Sequence, residues 1–457
     1  MKRYHLLFAL TAIFALLLGA CGAPPTLPAE EAPAEAPAEA AAPAADATPT
    51  PAVSELGQGD VQLIFWHGLT GPDGVTLQAM VEQFVADNPD ISVRIESMPW
   101  GIYYDKLLAA MVSGDPPDVF VIHEFNTAGY VRQGVLRPST DLFEGDGGTL
   151  PVDDFKPELL ERLEFDGVRY GVPLDNLGWG VWINRDLFTA AGLDPDVPPT
   201  NGQELIEMAQ ELTLDANGNH PYDPDFDASN VAQWGITVSN PKNLYQSVLW
   251  QYGGDIFSGD QALLDEAPAK DAAQYLYDLI YDYQVSPPPA GFNVLQAFGA
   301  GQLAILPYGT WGLNFMKESG LNWDVWPMIQ IGPEKATRMS SHVLHMPEGL
   351  DGEQLDAAKR LITYLSDNGL TWASSGQVPA RFSVQEQLDP EADRAVIVFA
   401  DAFKEQGRLE TPHPGKDEIA ASWEPEIGGT WDNVTTVDEA LQTANQRVQD
   451  VLDRFAE

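Results

Sequence analysis

The sequence predicts an α/β protein whose sheets are mostly parallel and flanked by helices. Short apolar strands alternate with amphipathic helices from residue 60 onwards, and this alternation is typical of such sheets. The chain has 457 residues, of which 44% are hydrophobic, enough to build two domains with separate cores. It contains a single cysteine, so no internal disulfide can form and burial alone must hold the fold.

The first predicted domain places polar and aromatic side chains at strand ends. Apolar runs predict strands at 61–66, 91–97 and 117–123, and helical spacing predicts helices at 75–89 and 103–114. Ligands of parallel sheets gather beyond the carboxyl ends of the strands. We therefore expect Trp66-His67 and His123-Glu124 on one rim.

A second domain begins near residue 170. Helices are predicted at about 201–212, 242–252, 268–283 and 293–300, followed by an extended segment at 303–311. Further helices are predicted at 353–368 and from about 437 to the last residue. We find no internal repeat.

The N-terminal segment predicts export. Two basic residues precede a short apolar run from Leu6 to Leu18, whereas a membrane span needs about 20 apolar residues. Small residues then lead into Cys21, which resembles the lipobox of bacterial lipoproteins, where the thiol is lipidated. Residues 1–20 are thus a predicted signal peptide. The alternative is an ordinary secretory signal followed by a chance cysteine.

Residues 21–58 are predicted to form a lipidated, disordered tether. The stretch is rich in Ala, Pro and Glu and has no aromatic residue, so it buries too little surface to offset its ordering entropy. A proline-rich spacer of this length reaches on the order of 100 Å. A binding motif for some partner is the alternative interpretation.

The net charge excludes one class of partner. It is −44 for the whole chain, and about −40 remains on the globular part once the basic signal and the six acids of residues 22–58 are set aside. Such a surface repels phosphate backbones and anionic lipid, so nucleic-acid binding is not expected.

Five segments, in this order, carry a resemblance to a known family. They are "FWHGLTGPDG", "SGDPPDVFVIHEFNTAGYVRQGVLRP", "GVPLDNLGWGVWINRDLFTAAGLDP", "AFGAGQLAILPYGTW" and "SGQVPARFSV". The chain resembles the extracellular solute-binding proteins of carbohydrate ABC importers, a family that includes maltose- and glycerol-3-phosphate-binding proteins. The resemblance runs from about residue 60 to 385, with a weaker helical tail.

The resemblance implies a two-lobed periplasmic-binding-protein fold (type II-like) that closes on a solute. The hinge would be crossed three times, near 170–176, 325–330 and 376–382. Glycine and proline at 171, 173, 376 and 379 suit such crossings. The N-lobe would comprise 59–172 and 328–376, and the C-lobe 173–327 and 377–457.

A sugar needs polar partners for its hydroxyls and aromatic rings for its C–H faces. The rim positions and the alignment with the family nominate a set of ligand-binding residues: Trp66, His67, Glu124, Asp175, Trp179, Trp250, Trp311 and Arg381, with Tyr104 and His342 as further candidates. Trp311 matches a sugar-stacking Trp of maltose binders, and glycerol-3-phosphate binders resemble this chain at Glu124. For each Trp the alternative is core packing.

The loop at 214–230 suggests a Ca²⁺ site. Asp215, Asn217, Asn219 and Asp223 occupy positions 1, 3, 5 and 9 of a loop, a spacing that wraps oxygen ligands around a hard cation. Its glycine stands at position 4 rather than 6, and Phe226 stands where a bidentate Glu is usual. A surface turn rich in Asx and Pro is the favoured interpretation, and we expect no other cofactor.

The resemblance implies a binding receptor without catalysis, delivering a mono- to oligosaccharide to the transmembrane subunits of an ABC permease. The receptor would be a monomer, anchored through Cys21 to the outer face of the cytoplasmic membrane. One alternative ligand is glycerol-3-phosphate or a phosphodiester, which would need several basic residues, of which only Arg381 is a candidate. A lipid-anchored carbohydrate-active enzyme, with Glu124 and Asp175 as its acids, is an alternative of another class, and a surface adhesion protein is a third.

Overall fold

The computed structural model describes residues 51–145 and 148–456. The predicted signal peptide, Cys21 and most of the predicted tether lie outside this range. Within it, no helix is both long enough and apolar enough to cross a membrane.

A six-stranded sheet forms the first lobe, with the strand order β1-β3-β2-β4-β16-β7. Its strands are β1 (Ala52–Leu56), β2 (Val61–His67), β3 (Ile91–Ser97), β4 (Val119–His123), β7 (Val172–Pro173) and β16 (His342–His345). A small hairpin accompanies it, formed by β5 (Glu164–Phe165) and β6 (Val168–Arg169).

An eight-stranded sheet forms the second lobe, with the order β18-β15-β8-β13-β10-β9, and β14 and β17 also pair with β8. Its strands are β8 (Asp175–Asn184), β9 (Leu214–Asp215), β10 (Val231–Ile236), β13 (Leu303–Gly309), β14 (Trp323–Trp326), β15 (Thr337–Ser340), β17 (Val378–Pro379) and β18 (Gly407–Leu409). A second hairpin is formed by β11 (Phe257–Ser258) and β12 (Gln261–Ala262).

Helices cover the sheets. Those that follow first-lobe strands are α1 (Pro72–Asp87), α2 (Trp100–Ser113), α3 (Thr127–Arg132), α4 (Thr140–Phe143), α5 (Pro157–Arg162), α12 (Gly352–Asp367) and α13 (Gly369–Ala373). The others are α6 (Arg185–Ala190), α7 (Gly202–Leu212), α8 (Pro241–Gln251), α9 (Ala267–Tyr281), α10 (Val294–Gly299), α11 (Leu313–Glu318), α14 (Phe382–Gln385), α15 (Arg394–Gln406), α16 (Lys416–Trp431) and α17 (Val437–Ala456). Three short 3-10 turns stand at Glu124–Asn126, Val152–Asp154 and Thr310–Gly312.

The two sheets are mixed, whereas the sequence predicted mostly parallel ones. Parallel pairs are β2–β3, β2–β4, β10–β13 and β15–β18. The strands on which the chain enters or re-enters a lobe run antiparallel to their neighbours, as β16 does against β4 and β8 does against β13. The α/β class and the two lobes are as predicted.

The chain crosses between the lobes three times. It crosses at Leu174, between β7 and β8, at Ser341, between β15 and β16, and again between α13 and β17. The second crossing comes later than the predicted range of 325–330 and the predicted boundary at 327/328. The reason is that β14 and β15 both pair with β8, which keeps the chain in the second lobe as far as Ser340.

The predicted tether overlaps the first strand. Residues 52–56 pair antiparallel with β3, from Ala52 opposite Ser97 to Leu56 opposite Val93. The prediction of disorder up to residue 58 was therefore wrong for this strand. It adds to the sheet edge through main-chain hydrogen bonds, which the side-chain composition of 21–58 does not reveal.

Candidate functional site

A cavity of about 380 Å³ lies between the two lobes. Its lining comes from both lobes: Gly68, Leu69, Thr70, Gly71, Pro72, Asp73, Trp100, Tyr104, His123, Phe125 and His342 from the first, and Leu177, Lys242, Asn243, Trp311, Arg338, Gln377 and Asp417 from the second. Its size and its mixture of rings and polar groups are those of a site for a small organic ligand.

Stacked rings form the first-lobe wall. The ring of Trp100 lies 5.7 Å from that of Tyr104 and 5.7 Å from that of His342, with interplanar angles of 25° and 11°. Gly68 makes this packing possible, because a Cβ there would come within 2.1 Å of the Trp100 ring. Tyr104 is held in turn by His123, whose Nδ1 lies 2.5 Å from the Tyr104 hydroxyl.

Trp311 is the aromatic residue of the second-lobe wall. It stands in the 3-10 turn that follows β13, and its ring packs edge-on to that of Tyr308 at 5.6 Å. Gly309 leaves room for it, since a Cβ at that position would lie 2.2 Å from the Trp311 ring. The cavity thus has a tryptophan in each lobe.

A buried ion cluster supports the polar side of the second-lobe wall. Glu410 is 2% exposed and pairs with both Arg338 and Lys416. Burial by itself would raise the pKa of Glu410, but Arg338, Lys416 and Lys242 hold it well below its ordinary value. Arg338 also donates from Nη1 to Asn243 Oδ1 at 2.8 Å, which fixes both side chains at the cavity.

Lys242 is the cation of the cavity without a carboxylate in contact. It forms no ion pair with any residue in the described part of the chain, and burial lowers its pKa. Its Nζ lies 4.7 Å from the centre of the Phe125 ring, which belongs to the other lobe. The guanidinium of Arg338 lies 5.4 Å from the same ring. Phe125 therefore links the first lobe to the cations of the second.

Two buried carboxylates form hydrogen bonds with the segments that cross between the lobes. Asp175 accepts hydrogen bonds from the His342 amide, His342 Nδ1 and Trp372 Nε1, each at 2.8 Å. Glu124 accepts from Ser340 Oγ at 2.6 Å and from the Ser341 amide at 2.8 Å. Burial raises the pKa of Glu124, against the opposing effect of the Ser340 hydrogen bond.

The structure brings three of the nominated residues to the cavity wall: Tyr104, Trp311 and His342. Four others do not line the cavity: Trp66, His67, Glu124 and Asp175. Of these, Trp66 packs in the same cluster as Trp100 and Tyr104, and Asp175 orients His342. The strand-end argument located this rim correctly, but side chains alternate along a strand and the ring of His67 turns into the protein, where it is 2% exposed.

Three nominated residues lie elsewhere. Trp179 and Trp250 are 0% and 2% exposed and belong to the interior of the second lobe, which is the core-packing alternative. Arg381 is taken up by ion pairs with Asp154, at 2.6 Å, and Asp367. Its guanidinium is therefore occupied by acids of the chain itself and lines no part of the cavity.

Sequence reasoning missed several lining residues with charged, amide or indole side chains: Asp73, Trp100, Lys242, Asn243, Arg338, Gln377 and Asp417. Trp100 begins α2 directly after β3, so the strand-end argument applied to it as well. Lys242 and Asn243 open α8 after β10, in the same arrangement. Arg338 carries no such signal, because only the pairing of β15 with β8 brings it to the cleft.

The 214–230 loop is folded around its own aspartate. Asp215 Oδ1 accepts the amides of Asn217 and Asn219, both at 2.8 Å, while Oδ2 accepts Asn219 Nδ2 and the Asp227 amide, both at 3.0 Å. Asp223 accepts the amide of His220 at 2.8 Å. These contacts are those of an Asx-rich turn.

Comparison with known proteins identifies the family. The profile of the bacterial extracellular solute-binding proteins matches residues 68–369. A maltotriose-binding protein of Pyrococcus abyssi is 22% identical over 88% of this chain and 82% of its own length. The sn-glycerol-3-phosphate-binding periplasmic protein of Escherichia coli is 28% identical, but over only 32% of this chain and 34% of its own.

Comparison with solved structures finds proteins of similar fold. An ABC substrate-binding protein of Listeria monocytogenes, solved in complex with cycloalternan, superposes with a TM-score of 0.71 at 22% identity, covering 87% of this chain and 99% of that one. With the profile match over residues 68–369, the chain belongs to the bacterial extracellular solute-binding protein family.

Proposed function

We propose that this protein is the receptor of an ABC importer and captures a sugar in the cleft between its lobes. The observation that carries the proposal is the pair of tryptophans, Trp100 and Trp311, that line one cavity from opposite lobes. Polar groups that suit hydroxyls stand beside them, including Asp73, Asn243 and Gln377. Aromatic faces for C–H groups with amides and carboxylates for hydroxyls are what a sugar requires.

Lobe closure is the mechanism that we propose. A sugar held between Trp100 and Trp311 touches both lobes, so it binds the closed form more strongly than the open form and shifts the equilibrium between them. The three crossings at Leu174, at Ser341 and between α13 and β17 form the hinge. The closed form would then dock on the permease.

Binding rather than hydrolysis is favoured by the matched family, and the two acids that the sequence nominated for an enzyme do not reach the cavity. Neither Glu124 nor Asp175 lines the cavity, and both accept hydrogen bonds from the chain's own N–H and O–H groups. A glycosidase needs a pair of carboxyl groups on either side of the scissile bond. The matched family is likewise one of binding proteins.

A neutral sugar is favoured over glycerol phosphate by the state of the cations. Arg338 is already paired with Glu410, which leaves Lys242 as the cation facing the cavity without a partner in the described part of the chain. A phosphate dianion is held best by several charge-assisted hydrogen bonds. The acids Asp73 and Asp417 line the same cavity and would repel it.

The predicted signal and Cys21 extend the proposal to the receptor's location. A lipid on Cys21 and a proline-rich spacer would keep a monomeric receptor on the outer face of the cytoplasmic membrane, close to its permease. The matched family is extracellular, in agreement with export.

A thermal-shift screen tests the ligand. The protein expressed without residues 1–21 is challenged with mono-, di- and oligosaccharides and with glycerol phosphates. A bound sugar present at about 100 times its Kd stabilises the fold by about 2.7 kcal/mol. No shift with any sugar counts against the proposal, and a shift with glycerol phosphates alone supports the other ligand.

Variants assign the shift to the cleft. Trp311→Ala removes the ring face and should abolish the shift, while Trp311→Phe restores part of it. Tyr222→Ala, at an exposed tyrosine outside the cavity, is the matched control and should keep the full shift. Retention of full binding by Trp311→Ala would place the sugar elsewhere.

A further inference from the structure

His342 is held in one orientation by the segments that cross between the lobes. It is the first residue of β16, directly after the crossing at Ser341, and Asp175 is the first residue of β8, directly after the crossing at Leu174. Asp175 accepts both the backbone amide of His342 and its ring Nδ1, at 2.8 Å each. Trp372 Nε1 donates to the same carboxylate at 2.8 Å, which fixes Asp175 from a third side.

The other face of the imidazole belongs to the cavity. His342 is a lining residue, and its ring stacks on Trp100 at 5.7 Å and 11°. Its Nε2 makes no hydrogen bond with any residue that the structure describes, although Nδ1 is fully engaged. One ring nitrogen is thus fixed by the protein and the other is left for a ligand.

The carboxylate determines which nitrogen titrates. Asp175 Oδ2 is an acceptor, so Nδ1 carries a hydrogen whether the imidazole is neutral or charged. The proton that comes and goes must therefore be the one on Nε2. We propose that His342 binds the ligand directly and that protonation of Nε2 switches this atom from acceptor to charged donor, so that Asp175 and His342 make ligand capture dependent on pH.

The groups around His342 separate it from the other histidines of the cleft. Burial alone would lower the pKa of His342, but three carboxylates raise it above its ordinary value of 6.5. The largest effect comes from Asp175, followed by Asp73 of α1 and Glu124 in the 3-10 turn after β4. On β4, burial and His342 lower the pKa of His123, whose Nδ1 contacts the Tyr104 hydroxyl of α2.

His67 of β2 is affected in the same way. Burial and His342 together lower its pKa to about 4. Of these three histidines, His342 is the one whose pKa is raised, so it is expected to take up a proton first as the pH falls.

The consequence for capture rests on the proposed function. The charged Nε2–H donates a charge-assisted hydrogen bond to a sugar oxygen, and this bond is stronger than the neutral one that unprotonated Nε2 accepts from a sugar hydroxyl. Affinity is therefore complete below the pKa of His342 and falls as the pH rises through it, by about tenfold for one charge-assisted bond. By linkage, the bound sugar raises that pKa.

The test combines two measurements on the purified protein. Long-range ¹H–¹⁵N spectra of ¹⁵N-histidine-labelled protein, recorded against pH without ligand and with the sugar found in the screen, report Nδ1 and Nε2 separately. Sugar affinity from tryptophan fluorescence is measured over the same pH range. His342→Gln identifies the His342 signals and should flatten the affinity profile.

Two further variants test the charge of Asp175 and control for the exchange of a histidine. Asp175→Asn keeps the shape of the side chain and should move the His342 transition to lower pH, so the proposal does not depend on His342→Gln folding. His220→Gln, the same exchange in the 214–230 loop, is the matched control and should leave both the affinity and its pH profile unchanged.

The outcomes separate this inference from the proposed function. The inference is supported if Nε2 of His342 titrates above pH 6.5, and if this transition moves to higher pH with sugar and to lower pH in Asp175→Asn. Sugar binding that is independent of pH, with an unmoved His342 signal, overturns the inference and leaves the receptor function standing. Failure of every sugar to bind overturns both.

Discussion

Two buried histidines other than His342 make the free energy of unfolding depend on pH. His345 is 0% exposed, and burial lowers its pKa to about 3. His67 is buried as well, with its pKa lowered to about 4 by burial and by His342. Both are therefore neutral in the folded protein, whereas in the unfolded chain they take up a proton near pH 6.5.

We expect the free energy of unfolding to fall as the pH falls. Because the folded-state pKa is lowered, the stabilising contribution is complete above about 6.5 and is lost on acidification, down to about 4 for His67 and about 3 for His345. At about 1.4 kcal/mol per pKa unit, the shifts correspond to at most roughly 3 kcal/mol for His67 and roughly 5 kcal/mol for His345. Urea unfolding at stepped pH measures it. His345→Gln should flatten the slope, His220→Gln should not, and an unchanged slope in His345→Gln would contradict the account.

Glu410 is the residue whose loss should cost most outside the apolar core. Replacing it by Gln leaves Arg338 and Lys416 buried without their counter-charge, which costs about 3–5 kcal/mol. Thermal or urea unfolding of Glu410→Gln measures this. Glu418→Gln, which breaks the exposed pair with Arg454, is the control and should change stability little. Equal effects of the two variants would refute the role of burial.

At the scale of elements, β8 is the strand on which the second lobe is assembled. All ten of its residues are buried, and it pairs with β13, β14, β15 and β17. Gly180 permits this crowding: a Cβ there would meet a Phe399 ring carbon at 2.5 Å and the Trp326 carbonyl at 2.9 Å. The ring of Phe399 and the backbone of β14 therefore pack directly against Gly180.

Gly180→Ala should therefore destabilise the protein by about 1–3 kcal/mol through overpacking. Gly101→Ala is the matched control, because nothing lies within 4 Å of a Cβ at that helical position and alanine favours a helix. Urea unfolding of the two variants checks the difference. If the two variants were equally stable, the packing around β8 would have adjusted to the added methyl group and the prediction of overpacking would be wrong.

Long elements were predictable and short ones were not. The strands at 61–66, 91–97 and 117–123 and the helices at 75–89, 103–114 and 353–368 follow from periodicity within each segment. β14, β15 and β17, at two to four residues, carry no such pattern and exist because β8 offers main-chain partners. This is why the second crossing was expected too early.

At the scale of the whole molecule, the family assignment places the protein outside the cytoplasm, and Cys21 is its proposed lipid anchor. If Cys21 is lipidated, Cys21→Ser should move the protein from the membrane fraction to the periplasm or medium, because one thiol carries the whole attachment. Immunoblots of cell fractions and a labelled fatty-acid precursor measure it. Membrane association that persists in Cys21→Ser would contradict lipidation.

The α/β class, the two lobes and the family could be predicted from the amino-acid sequence, because alternating periodicities and ordered motifs are local properties of the chain. The sequence also located a rim at the ends of the strands. Which side chains face the cleft depends on how distant segments of the chain pack together. Trp179 and Trp311 look alike in sequence, yet one is core and the other lines the cavity, since the difference comes from distant segments that pack on each. The same long-range pairing brings Asp175 to His342 and Arg338 to Glu410, and no local pattern encodes it.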